Sequence, residues 1–166
     1  MKKVCVITGG GSGIGFAAAK VMGEQGFHVI LAGRTAGKLE NAVAELRTAG
    51  VEAEAFGCDV SDRESTQALA GTAAERGKVK VVIHAAGMSP HMGDARKIME
   101  ANALGTINVN DAFYGVMHDG GCIIDTSSMS AYLTPQFIMP KHSYRFSRID
   151  RDKFMKKMMR LSLIHI

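Results

Sequence analysis

The sequence predicts an α/β domain built on a doubly wound parallel sheet. Short apolar, β-branched runs alternate with segments of helical period, and a glycine-rich turn, TGGGSGIG, follows the first of those runs without a gap. Neighbouring parallel strands cannot be joined by a tight turn. Strands separated by ten or more helical residues therefore imply right-handed crossovers and helices on both faces of the sheet.

The elements follow in order. Residues 4–7 (VCVI) predict the first strand and 14–22 the first helix. Strands are expected at 28–32, 54–57 and 79–84, with helices at 38–47 and 63–74 between them. A long helix is expected over 94–118 and a fifth strand over 122–126. Beyond Ser128 the period decays through two prolines, a basic segment of helical spacing follows, and the chain ends on LSLIHI. No internal repeat or low-complexity tract interrupts this order.

Composition sets the class. At 166 residues, with 46% apolar and 22% charged content, the chain has the balance of one soluble globular domain. No stretch approaches 18 uninterrupted apolar residues, and MKKVCVITGG is too short an apolar start for a signal peptide, so a cytoplasmic protein is expected. Cys5, Cys58 and Cys122 are odd in number, far apart and flanked by apolar residues, which predicts small core residues and not a disulfide framework. The six histidines show neither HxxxH nor HExxH spacing, so no metal is expected. Residues 141–160 carry eight Lys/Arg against two Asp, leaving twelve basic against fourteen acidic side chains in the first 140. Phe154, Met158 and Leu161 recur at helical spacing there, and no aromatics interleave the charges for base stacking. A solvated face of an amphipathic helix is the expectation, with neither nucleic acid nor membrane as partner.

The glycine turn carries the first chemistry. Without a Cβ the backbone can turn tightly and approach a pyrophosphate, and the N–H groups and positive end of the following helix attract its charge. Its spacing is TGxxxGxG, and with it the chain resembles the short-chain dehydrogenase/reductase family, over residues 3–128. The resemblance implies a Rossmann fold and places Thr8, Gly9, Gly13, Ile14 and Gly15 at the cofactor loop. Asp59 and Val60, in CDV, match the segment that meets the adenine ring, although an N-cap or turn role is open to Asp59, as it is to Ser61 or Asp62. HAAG, residues 84–87, stands where the family usually has NNAG. Ala85, Ala86 and Gly87 keep the small residues beside the cofactor, while His84 and Ala85 in place of asparagines are expected to weaken the polar hold there. Asn102 matches the helix asparagine whose side chain and local distortion hold a water in the proton relay; a structural hydrogen-bonding role is the alternative.

The end of the second strand faces the adenosine ribose. An acid there would bind both ribose hydroxyls and repel a 2′-phosphate, but this chain reads LAGRT. Gly33 stands at the acid's position, Arg34 offers a planar fork of donors and Thr35 a hydroxyl, so NADP is expected in preference to NAD. A solvent-exposed arginine is the plain alternative.

IIDTSS matches the family's fifth strand and assigns the catalytic serine to Ser128, with Ser127 as alternate. In the family a tyrosine and a lysine four residues later complete the site, because an unperturbed phenol titrates near ~10 and needs a cation beside it to act as a base. All three tyrosines fail YxxxK: Tyr114 leads to His118, Tyr132 to Gln136 and Tyr144 to Arg148. The layout is nearest to bacterial 3α-hydroxysteroid dehydrogenase/carbonyl reductases, with residues 129–160 resembling their insertion between serine and tyrosine. LSLIHI equals the translation of a transposon-end sequencing adapter, so 161–166 is expected to be a non-native tail, the sheet truncated after its fifth strand, and the tyrosine and lysine to lie beyond. Implied is an NADP-preferring oxidoreductase acting on a carbonyl or secondary alcohol, homo-oligomeric at full length. A non-enzymatic dinucleotide-binding regulator is the alternative.

Overall fold

A computed structural model describes residues 1–129, 133 and 141–162. Tyr132, Gln136 and residues 163–166 lie outside the described residues. Five parallel strands form one sheet in the order β3-β2-β1-β4-β5. They are β1 (Lys3–Thr8), β2 (His28–Gly33), β3 (Ala53–Gly57), β4 (Lys78–His84) and β5 (Met117–Asp125). The central runs KVCVIT and HVILAG are buried almost end to end, as a strand covered on both faces must be.

Helices cover the two faces. On one side, α1 (Gly13–Glu24) and α2 (Ala36–Thr48) enclose Cys5, Ile7, Val29 and Leu31. On the other, α3 (Arg63–Arg76) packs beside α5 (Gly105–Tyr114) over Val4, Val6, Ile30 and Val82, with Phe113 fully buried. The Asp62 carboxylate caps α3 by accepting from the Glu64 N–H at 2.9 Å.

The region expected as one helix over 94–118 is broken. It comprises α4 (Ala95–Met99), a π-helical turn (Glu100–Leu104) and α5, which ends at Tyr114. Met117 and His118 belong to β5, which begins five residues before the expected position. The reason lies in Gly120 and Gly121. Gly120 takes φ +74°, so the backbone bulges: Val79 pairs with Met117 but Val81 with Cys122. The Lys80 ammonium donates to the Asp119 carbonyl and holds that bulge.

Beyond β5, α6 (Lys141–Tyr144) and α7 (Arg151–Ser162) carry the basic segment. Phe154 is buried, and α7 packs against α4. Arg151 donates to the Asp111 carboxylate at 3.1 Å and to Asn108 Oδ1 at 2.5 Å. Among the described residues no helix is long and apolar enough to cross a membrane.

Candidate functional site

Two clefts open at the carboxyl ends of the strands, where the chain leaves β1 toward β2 on one side and meets β4 on the other. This reversal of strand order is where open α/β sheets bind ligands. The first cleft, about 320 Å³, is lined by Gly9, Ile14, Gly15, Arg34, Thr35, Asp59 and Val60 among others. The second, about 670 Å³, is lined by Asn102, Thr106, Thr126, Ser127 and Ser128. Ala85, Ala86 and Gly87 line both, so the HAAG segment is the shelf between them.

The glycine loop has the form of a cradle for a phosphate-bearing ligand. A Cβ on Gly9 would lie 2.8 Å from the Ala85 carbonyl and the Ala86 nitrogen, and one on Gly15 only 2.5 Å from the Gly9 oxygen. Gly9 and Gly13 take φ +67° and +56°, which favour glycine. Helix α1 starts with Ser12 at its N-cap making no side-chain cap and no acid in its first turn. Its positive end is therefore left for an external anion. Ile14 is 73% exposed at the lip of the same cleft.

Thr8 joins this loop to the shelf. It is fully buried, its Oγ1 accepts from the Ala86 N–H at 3.2 Å and lies 2.7 Å from His84 Nδ1. His84 also reaches Thr106 Oγ1 with its Nε2 at 3.2 Å. His84 therefore keeps polar contacts at the end of β4: its imidazole reaches one hydroxyl on β1 and one on α5. Burial holds its pKa below the ordinary value, against the opposing pull of Asp125.

At the far end of the first cleft, Arg34 and Thr35 follow β2, and the Thr35 side chain makes no cap bond to α2 although it occupies the N-cap. Lys38 lines the same wall, with its Cβ 3.2 Å from where a Gly11 Cβ would stand. It is a second cation on that wall, three residues beyond Thr35 on α2, which the sequence did not single out. Asp59 forms a turn: its Oδ1 accepts from the Ser61 N–H at 2.9 Å and the Ser61 hydroxyl at 2.7 Å. Asp62, not Asp59, is the helix cap. Buried Asn108 was also missed. Its Nδ2 donates to the Val60 and Ser61 carbonyls at 2.9 and 3.1 Å and fixes the segment that carries Asp59.

In the second cleft the π-turn carries Asn102. Its amide clamps one backbone unit, Nδ2 donating to the Met88 carbonyl at 2.8 Å and Oδ1 accepting from the Met88 N–H at 2.7 Å. That engages its side chain structurally, while its own carbonyl accepts from the Thr106 hydroxyl at 2.8 Å. Ser127 and Ser128 follow β5 into this cleft. Tyr114 is 85% exposed on α5 and Tyr144 ends α6; neither lines the Ser128 cleft. Of the three cysteines, Cys5 and Cys58 are core residues, but Cys122 is exposed, because its side of β5 lies at the sheet edge beyond α1 and α2.

Comparison with known proteins agrees with this layout. The family model of the short chain dehydrogenases matches residues 3–159. The chain is 34% identical over 140 residues to the short-chain reductase protein NovJ of Streptomyces niveus, covering 78% of this chain and 53% of that protein. It spans about half the length of the curated relatives it matches. Among solved structures, a short chain dehydrogenase/reductase of Burkholderia phymatum in complex with NAD superposes with TM-score 0.70 at 32% identity, covering 81% of this chain and 52% of that one. A variant of the actinorhodin polyketide ketoreductase with NADPH superposes with TM-score 0.70 at 28% identity, covering 79% and 55%.

Proposed function

The chain belongs to the short-chain dehydrogenase/reductase family, and on that premise we propose that it is the dinucleotide-binding part of an NADP-preferring oxidoreductase that acts on a carbonyl or secondary alcohol. The observation that carries this reading is the pair of clefts sharing Ala85–Gly87, one with a glycine cradle and cations, the other with Ser127, Ser128 and Asn102. When bound, the nicotinamide supplies or accepts the hydride at its C4. This chain's own residues do the rest. The backbone of Gly9 to Gly15 and the start of α1 hold the pyrophosphate, while Arg34 and Lys38 meet the 2′-phosphate, with the Thr35 hydroxyl beside them. Gly33 leaves no carboxylate to repel that charge.

In the second cleft the Ser128 hydroxyl holds the substrate oxygen, with Ser127 next to it. Asn102, by clamping Met88, fixes the far wall of the cleft and the π-turn. The phenol that would move the proton is not supplied by Tyr114 or Tyr144, neither of which lines this cleft. General acid–base help is worth ~10² to 10⁴ in rate. Residues 129–160 are read as an insertion of the same domain, and the complete protein as a homo-oligomer.

The test is NADPH consumption by this chain with a panel of hydrophobic ketones, beside a direct binding titration. We expect binding without measurable turnover. Robust reduction that disappears in Tyr144→Phe would overturn the assignment and make Tyr144 and Arg148 the working pair.

A further inference from the structure

His84 stands where three elements of the site meet. It ends β4, it lines the second cleft, and it touches residues on two other elements. The hydrogens can be assigned by elimination. The Thr106 hydroxyl spends its proton on the Asn102 carbonyl at 2.8 Å, so toward His84 it can only accept. Nε2 must therefore carry the imidazole proton. Nδ1 is then bare and accepts from the Thr8 hydroxyl, whose oxygen in turn accepts from the Ala86 N–H. One directional chain results, from the Ala86 amide through Thr8, His84 and Thr106 to the Asn102 carbonyl.

We infer that His84 is a positioning residue which, as the Nε2–H tautomer, couples the shelf of the dinucleotide cleft to the π-turn of the second cleft. Each end of the chain sits where position matters. Ala86 lies in the shelf that both clefts share, and Asn102 clamps Met88 just beyond it. An asparagine at position 84 is too short to reach both hydroxyls, so this coupling belongs to the histidine.

Protonation reverses one link. An Nδ1–H would face the Thr8 oxygen, which already accepts from Ala86, and the Thr8 proton would have to turn away. From β5 the charged group facing His84 is Asp125, its register partner, whose carboxylate accepts from Asn110 at 2.9 Å. From β1 and α5 the described contacts are the hydroxyls of Thr8 and Thr106. Burial outweighs the pull of Asp125 and keeps the ring neutral near pH 7.

The inference rests on the dinucleotide reading, and two readouts separate them. In ¹⁵N-labelled protein, the His84 ring should show a protonated Nε2 and a bare Nδ1. Thr106→Val should move the Ala86 amide resonance, while Thr106→Ser leaves it in place. In NADPH titrations, Thr106→Val and His84→Asn should each weaken binding about tenfold, Thr106→Ser about twofold or less, and the double variant no more than either single one, because one chain is cut twice. Wild-type affinity should fall on acidification as His84 charges, whereas His84→Asn should lose that dependence. An Nδ1–H tautomer, a silent Ala86 amide in Thr106→Val, or additive losses would overturn the coupling. Correct tautomer and amide response with no dinucleotide binding would sustain the coupling and overturn the proposed function.

Discussion

Replacing Gly9 with alanine tests the cradle through two separable costs. The residue takes φ +67°, which costs an L-residue about 1–2 kcal/mol. Its new Cβ would also lie 2.8 Å from the Ala85 carbonyl and the Ala86 nitrogen, about 0.6 Å inside ordinary contact. Those are backbone atoms with no rotamer to change, so the shelf must shift, at a cost of about 1–3 kcal/mol. Gly13 isolates the first term, since it takes φ +56° with nothing within 4 Å of its Cβ. Gly13→Ala should therefore cost about 1–2 kcal/mol and Gly9→Ala about 2–5. The chain has no tryptophan, so urea unfolding would be followed by far-UV circular dichroism, with NADPH binding measured in parallel. Equal destabilisation by the two variants would refute the close approach of β1 to the HAAG shelf.

Two further outcomes follow from burial. Exposed Cys122 should react with a thiol reagent within the native protein, whereas Cys5, whose thiol burial pushes up to about 12, and Cys58, raised for the same reason, should react only on unfolding. Three equally fast thiols would contradict the two-faced core. Because the His84 pKa is lowered by folding, the unfolded chain binds the extra proton first: stability should be unaffected above the ordinary value of 6.5 and fall as pH drops from there toward the folded value. His84→Asn should abolish that part of the acid slope, and an unchanged slope would show that the histidine is not buried neutral.

The parts of the fold legible in the sequence are those set by local physics. β1, β2 and β4 are continuous β-branched apolar runs because both faces are covered, and their neighbours are helices bounded by glycines. The end of α5 was not legible, since Phe113, Val116 and Met117 continue an apolar pattern across Gly115 and the glycine pair at 120–121 reads as a turn between elements. Only the pairing of Val79 with Met117 shows it to be a bulge inside a strand.

The site divides the same way. Gly9, Gly15 and Arg34 announce themselves through spacing and position, but His84 is joined to Thr8 across 76 residues and to Thr106 across 22. Its two polar contacts become visible only once β1 and α5 are brought beside it. Asn108 was hidden for the same reason: it holds the carbonyls of Val60 and Ser61, a segment that only the fold brings near.

On the proposed function, this chain holds a nicotinamide dinucleotide in the first cleft and prefers the 2′-phosphorylated form. Parallel fluorescence titrations with NADPH and NADH test it most directly. NADPH should bind more tightly by about ten- to a hundredfold, as expected for charged hydrogen bonds to the phosphate, with partial loss in Lys38→Ala and a reversed preference in Arg34→Asp. Equal affinities in the parent, or a preference untouched by Arg34→Asp, would contradict it.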